Sequence, residues 1–225
     1  MKSTKALIFF LWHHLFNAID DKEKMHEGRF AGLYDLAFNI FLKKIQNKIL
    51  NIVTCYKCKR IVDLGCGTGS QCILLHANKF DVTGIDISPS MLAVARKKNS
   101  KIDYICGDII NTNFPDGHFD CAILSFVLHM NNPKNQQKIL REAERIVGRE
   151  GLIIVTDYGI PSTPKGKTVG LLIKIIENLA IEEHRNNYHE YVKRGSIDGV
   201  IKNKKFTLER YKFYFGTIET AVIKK

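Results

Sequence analysis

The sequence predicts an α/β protein built on a doubly wound, mostly parallel seven-stranded sheet with a C-terminal antiparallel hairpin. Three observations carry that expectation. From residue 60 onward, apolar β-branched runs of strand length alternate with segments of helical periodicity. The first run, RIVDL, passes straight into a glycine-rich turn, GCGTGS, that opens a helix. The last two runs, 207–215 and 217–223, are joined only at Gly216. Neighbouring strands so tightly connected must run antiparallel.

In chain order, residues 1–55 read as N-terminal helices and 56–225 as the sheet domain, with a helical insertion near 160–200. The stretch KALIFFLWHHLFNAI holds an apolar run at 6–12, too short to span a bilayer. Two histidines interrupt it and no small-residue cleavage site follows, unlike a signal peptide. Three placements fit it: packed on the core, lying in a membrane surface through Trp12 and Phe16, or capping a ligand pocket. Leu33, Leu36, Ala37, Ile40, Phe41 and Ile45 then recur at helical spacing and predict a helix over 28–54. Strands follow at 60–64, 81–86, 102–107, 119–126 and 151–157, apolar enough for burial on both faces. Helices fall between them at 70–78, 88–99 and 134–147, with Ser88 placed as an N-cap and Pro89 in the first turn. Residues 166–194 read as helical and interrupt the alternation before the closing hairpin.

At 225 residues the chain can bury one sizeable core. Lys and Arg number 34 against 23 Asp and Glu, for a net charge of +11. The distribution is uneven. Residues 1–60 carry 11 basic and 5 acidic side chains, 61–159 carry 10 and 11, and 160–225 carry 13 and 7. A neutral centre between two basic flanks suits an anionic substrate, an anionic membrane surface or nucleic acid, and equally a need for solubility. Six cysteines at 55, 58, 66, 72, 106 and 121 lack a secretory context, so a reducing cytoplasm fits better than a disulfide framework. Cys55 and Cys58 have metal-ligand spacing but no second pair, so no metal site is assigned.

The glycine turn at 65–69 and the acid at Asp86, one strand later, fit a nucleoside-type cofactor. Glycines let the backbone approach a ligand, the helix that follows offers free N–H groups, and the acid can accept ribose hydroxyls. A dinucleotide site calls for G-x-G-x-x-G, whereas here the glycines are Gly65, Gly67 and Gly69, with Ser at position 70. With Asp63 in the strand, the pattern D-x-G-x-G-x-G closely resembles motif I of the class I S-adenosylmethionine (SAM)-dependent methyltransferases. The segments LYDLAF, VDLGCGTGS, VTGIDISPSML, CGDI, FDCAILSFVLHM and LREAERIVGREGLIIVTDYG resemble most the group that contains the ubiquinone and menaquinone C-methyltransferases. The resemblance covers roughly residues 30–160, and it implies the Rossmann-like class I methyltransferase fold, in which the terminal hairpin is expected.

What the resemblance implies can be carried over position by position. Gly65, Cys66 and Gly67 would border the methionine part of SAM, and Asp63 would orient that loop and the ammonium. Asp86 would hold the ribose, with Ile87 and Met91 beside the adenine. Asp108 would accept the adenine amino group, Ile109 would lie beside the ring, and the Ser125 carbonyl would face the methionine portion. Tyr34 matches the aromatic of the family's Tyr-Asp lid. The product would be S-adenosylhomocysteine.

For the acceptor side, His129 ends the fourth predicted strand, on the carboxyl edge where ligands bind in such sheets. A general base there would serve a hydroxyl, thiol or acidic carbon acceptor. His184, Tyr188 and Tyr191 share one helical face in the inserted region, which reads either as a pocket wall or as a solvent-facing amphipathic helix. His129, His184 and Tyr188 are therefore the candidate acceptor-pocket residues. The acceptor is expected to be a small or lipid-like molecule. An RNA acceptor held by the basic flanks and a SAM-binding protein without catalysis are the rivals. The acceptor atom and the oligomeric state stay open.

Overall fold

The structure is a computed structural model that describes residues 28–201 and 207–225, with side chains from Leu42 onward. The expectations for residues 1–27 lie outside the described residues. The described residues open with a long helix, α1 (Gly28–Cys55), and then alternate: β1 (Arg60–Leu64), α2 (Ser70–Ala77), β2 (Asp81–Asp86), α3 (Pro89–Lys98), β3 (Asp103–Cys106) and β4 (Phe119–Ser125). After a one-turn 3-10 segment at Leu128–Met130 come α4 (Pro133–Ile146) and β5 (Val147–Tyr158). Three helices follow, α5 (Pro164–Glu177), α6 (Glu182–Lys193) and α7 (Ile197–Ile201). The hairpin strands β6 (Thr207–Phe213) and β7 (Ile218–Lys224) come last.

All seven strands form one sheet in the order β3-β2-β1-β4-β5-β7-β6, with helices on both sides. The first five strands are parallel, and β7 runs antiparallel between β5 and β6. This is the class I methyltransferase fold. The apolar runs explain the order of burial: Ile61, Val62, Leu64, Ile123, Ile154 and Val155 are fully enclosed, as are Ala221 and Val222 of β7. Strand order reverses between β1 and β4, so the carboxyl ends of those two strands open the crevice in which such sheets bind ligands.

Three of the departures from the expected boundaries shape the site. β5 begins at Val147 instead of 151, because its pairing with β4 jumps from Phe119↔Val147 to Cys121↔Leu152 and the shift absorbs the residues between. Gly151 sits in that irregularity, where a Cβ would lie 2.7 Å from the Asp120 carbonyl oxygen. β4 ends at Ser125, since Phe126 takes the left-handed conformation (φ 57°) and donates its N–H to Thr156 O at 2.8 Å. His129 therefore lies in the 3-10 turn beyond the strand instead of ending it. The helical stretch at 166–194 is two helices, broken after α5, where Leu179 and Ala180 donate to Ile176 and Glu177 and Ile181 turns extended before α6. That break folds α6 back onto the 3-10 turn, where Asn187 Nδ2 donates to Met130 O at 2.8 Å.

Candidate active site

At the carboxyl end of β1 the glycine turn is built by its own backbone. Gly65 and Cys66 both donate to Ile85 O, at 2.8 and 3.0 Å, which fastens the turn to β2. Gly65, Gly67 and Gly69 all have positive φ, at 84°, 53° and 75°. A Cβ on Gly65 would meet Val127 at 2.6 Å, whereas one on Gly67 would meet nothing within 4 Å. Gly67 thus borders open space, as a backbone meant to approach a ligand should. Asp86 ends β2 beside it, accepting from Gly67 N at 2.8 Å and from Ser88 N at 2.9 Å through different oxygens. Each carboxylate oxygen keeps a further lone pair for a ligand hydroxyl. Ser88 caps α3 by accepting from Met91 N.

Other expected residues take the same edge. Ile87 stands 72 % exposed beside Asp86, where a flat ring could lie against it. Met91 is half-buried in the first turn of α3. Asp108 is exposed just past β3, accepts from Ile110 N at 2.9 Å, and is followed by half-buried Ile109. Ser125 is half-buried at the end of β4. The structure therefore gathers Gly65, Cys66, Gly67, Asp86, Ile87, Met91, Asp108, Ile109 and Ser125 along one edge of the sheet. Tyr34 falls on α1, and its side chain lies outside the described residues.

Beneath the loop, buried polar atoms test whether a cofactor fits. Asp63 is 2 % exposed; its Oδ2 accepts from Cys72 Sγ at 3.4 Å, and its Oδ1 has no hydrogen-bond partner. Burial pushes its pKa up to about 7, opposed by the Cys72 thiol and reinforced by the Asp86 charge. Gln71, in the first turn of α2, is buried with neither end of its amide hydrogen-bonded. Such orphaned groups are rare in folded proteins. Their clustering under the glycine turn fits a polar ligand that carries both positive and negative groups, as the amino-acid end of SAM does. Sequence reasoning missed Gln71; its place in the first turn after the glycines was the available signal.

A second polar group lies further along the edge, between the ends of β4 and β5 and the inserted helices. His129 is 2 % exposed, and its Nδ1 is 2.7 Å from Asp157 Oδ1. Asp157 also accepts the N–H groups of Leu128, His129 and Tyr158, at 2.9, 3.1 and 2.7 Å. An acceptor-only carboxylate fixes the tautomer: Nδ1 carries the proton and donates. Burial disfavours an imidazolium here, but the Asp157 charge and hydrogen bond, with Glu177 beyond, outweigh it and hold the His129 pKa above its ordinary value. His184 Nε2 lies 3.2 Å from Glu177 Oε2, and its ring centroid is 5.5 Å from that of His129. The Tyr158 hydroxyl donates to Glu177 Oε1 at 2.8 Å. Tyr188 packs edge-on against Tyr158, with ring centroids 5.6 Å apart, and Tyr191 donates to Tyr158 O at 3.0 Å. Burial, then the nearby Glu177 charge, raises the pKa of Tyr158 and Tyr188, so both stay neutral donors.

The structure thus brings His129, His184 and Tyr188 together, and it turns the α6 face that bears His184 and Tyr188 inward instead of toward solvent. Sequence reasoning missed Asp157, Tyr158 and Glu177. Asp157 carried the same signal as Asp63 and Asp86, an acid at the end of an apolar strand, while Glu177 stood alone in KIIENLA with no signal at all.

A family model described as "Methyltransferase domain" matches residues 62–155, the span that holds both polar groups except for the α5–α6 side chains and the strand-end residues Asp157 and Tyr158. The chain is 29 % identical over 154 residues to a demethylmenaquinone methyltransferase of Thermotoga maritima, covering 65 % of this chain and 66 % of that protein. It is also 29 % identical over 149 residues to a carboxy-S-adenosyl-L-methionine synthase of Campylobacter hominis, covering 63 % and 62 %. The match spans just under two thirds of each relative's length. Among solved structures, the S-adenosylmethionine-dependent methyltransferase SibL has the same fold, with a TM-score of 0.65 and 16 % identity over 88 % of this chain and 60 % of that one.

Proposed function

We propose that this chain, which carries a methyltransferase domain on a class I methyltransferase fold, transfers a methyl group from S-adenosylmethionine to a small-molecule or lipid-like acceptor. The observation that carries this reading is the carboxyl edge of β1 and β2. There a turn with three positive-φ glycines, one of them facing open space, lies between a buried, partly unsatisfied Asp63 and the strand-end Asp86. SAM bound there supplies a methyl group on a sulfonium centre, so the protein's part is to bind, align and exclude water. Asp86 accepts the ribose hydroxyls. Asp63 in its ionised form balances the ammonium, and the backbone of Gly65, Cys66 and Gly67 lies along the methionine chain with the Ser125 carbonyl opposite. Ile87, Met91 and Ile109 cover the adenine while Asp108 accepts its amino group, and Tyr34 belongs to the lid.

The acceptor side is the cluster of His129, His184 and Tyr188. His184, with 16 % of its side chain exposed, is the member that an acceptor reaches, whereas His129 is enclosed and acts from behind it. One relative is named for methyl transfer to demethylmenaquinone and the other for making carboxy-S-adenosyl-L-methionine, which supports an S-adenosyl donor more strongly than any one acceptor. A lipid-like acceptor, such as a prenylated quinone precursor or a phospholipid at an anionic membrane surface, is supported by the basic flanks. It is supported also by exposed Leu171, Ile175, Leu179 and Ile181 beside the lysines of α5. On this reading the protein works in the cytoplasm, peripheral to the membrane.

The test is a calorimetric titration with SAM and S-adenosylhomocysteine, followed by labelled-methyl transfer to demethylmenaquinone and to phospholipid extracts. Alanine variants at His129, His184 and Tyr188 are expected to lose at least tenfold in turnover with little change in SAM affinity. Unchanged turnover at all three positions removes them from the acceptor site. SAM binding without transfer to any acceptor favours a non-catalytic subunit.

A further inference from the structure

The cluster behind the acceptor side has the composition and the support of a metal centre. One donor atom each from His129, Glu177 and His184 lies within 4.8 Å of the others. Because Nδ1 of His129 is committed to Asp157, the donor it offers is Nε2, which is buried and has no hydrogen-bond partner. His184 Nε2 and Glu177 Oε2 are 3.2 Å apart. Two ligands on one tetrahedral ion, with bonds of about 2.0–2.1 Å, stand about 3.3 Å apart. The other donor pairs stand no more than 4.8 Å apart, up to about 1.5 Å beyond that spacing.

We propose that His129, Glu177 and His184 form a binding site for a divalent first-row transition ion, zinc foremost, with two imidazole nitrogens and one carboxylate oxygen as ligands. Two histidines and a carboxylate are a borderline donor set that suits zinc or ferrous iron and disfavours magnesium and calcium, which take oxygen ligands. The outer groups are already those that a metal site uses. Asp157 holds the far nitrogen of His129, and three backbone N–H groups hold Asp157 in turn. The Tyr158 hydroxyl holds Glu177 Oε1, leaving Oε2 toward the histidines. Electrostatics agrees: two carboxylates, on Asp157 and Glu177, are 0 % and 2 % exposed beside the two imidazoles. A dication neutralises that pair. Three ligands leave at least one coordination position open, and the partial exposure of His184 marks the side on which it opens. The site itself needs nothing from the methyl-transfer reading. Its service to an acceptor heteroatom does rest on that reading.

The rival is a shared proton, with one imidazole charged against Glu177 and no ion. The two are separated by metal analysis of untagged protein purified without chelator, then by thermal melts and calorimetry of chelator-stripped protein titrated with zinc chloride. Cobalt chloride serves as a spectroscopic probe of the ligand field. One ion per chain is expected, with a rise in melting temperature on adding zinc. His184→Ala, the least buried ligand, is expected to weaken zinc binding by about 100-fold or more. His189→Ala, on the same helix but bonded to Asn178, is expected to bind zinc as the parent does. Protein that carries no metal, whose melting temperature zinc leaves unmoved and which gives no cobalt spectrum, overturns the proposal in favour of the proton. Zinc affinity unchanged in His184→Ala overturns it also. SAM affinity measured on the same stripped samples keeps the two readings apart. Retained SAM binding without metal uptake sinks only the metal site, and metal uptake without SAM binding sinks only the methyltransferase reading.

Discussion

Asp63 makes the cofactor site sensitive to pH in a direction that its position dictates. Its carboxyl is raised to about 7 by burial, against an ordinary value of 3.8, so the folded state holds a proton that the unfolded state has released. A raised native pKa gives stability that is complete below about pH 4 and is lost as pH climbs through about 7. In ligand-free protein, unfolding free energy is therefore expected to fall between pH 4 and 7 by about 2–4 kcal/mol more in the parent than in Asp63→Asn. On the proposed pairing of Asp63 with the SAM ammonium, the cofactor reverses the preference, because a cation favours the ionised carboxylate. Affinity is expected to rise with pH from 5.5 to 7.5 and to stay flat in Asp63→Asn. Calorimetry at three pH values decides it, and equal slopes in the two proteins would sink the assignment.

One buried acid on α4 holds the loop that carries the proposed adenine-side residues. Glu142 accepts the Thr112 N–H at 2.7 Å, the Thr112 hydroxyl, and two N–H groups of Arg145, whose guanidinium also reaches Phe114 O and Asp116. This fastens the chain after β3, where Asp108 and Ile109 stand, to the flank of the sheet. Glu142→Ala leaves the Thr112 N–H and Arg145 without their acceptor and is expected to cost about 2–3 kcal/mol. SAM affinity should weaken several-fold, and hydrogen exchange should quicken across residues 108–116. Unaltered exchange there would mean that the loop is held by other contacts. The elements themselves were legible to different depths. β1, β2 and the glycine turn could be read because their runs are apolar and their punctuation is glycine and aspartate. The division of α5 from α6 could not, since no glycine or proline marks it; the tight turns after Glu177 are set by packing against the β4–β5 edge. His129 was placed on the right edge for a general reason of topology, yet Asp157 and Glu177 were invisible, because a buried acid looks in sequence like a surface one.

Across the whole molecule, charge and apolar surface point the same way. The chain's two flanks carry the excess of basic residues, and α5 exposes Leu171 and Ile175 beside Lys167 and Lys174. No helix among the described residues is long and apolar enough to cross a membrane. On the proposed reading, contact with anionic lipid is electrostatic in part. Co-sedimentation with phosphatidylglycerol vesicles is expected at low salt, reduced at 0.5 M salt and weakened by deleting residues 1–20. Equal pelleting of the intact and shortened chains would remove the N-terminal segment from that role. The position of β7 has a different consequence, in time instead of space. It is the last strand in the sequence, yet it sits inside the sheet, pairing with β5 across Leu152↔Lys224 to Tyr158↔Ile218. The excursion from β5 to β7 contains α5 and α6, which carry Glu177, His184 and Tyr188. Pairing β5 with β7 closes that excursion, and so long-range a contact forms late in folding. During synthesis the glycine turn can form long before the histidine cluster does. A growing chain would thus be able to hold its donor molecule well before it gains the means to use it.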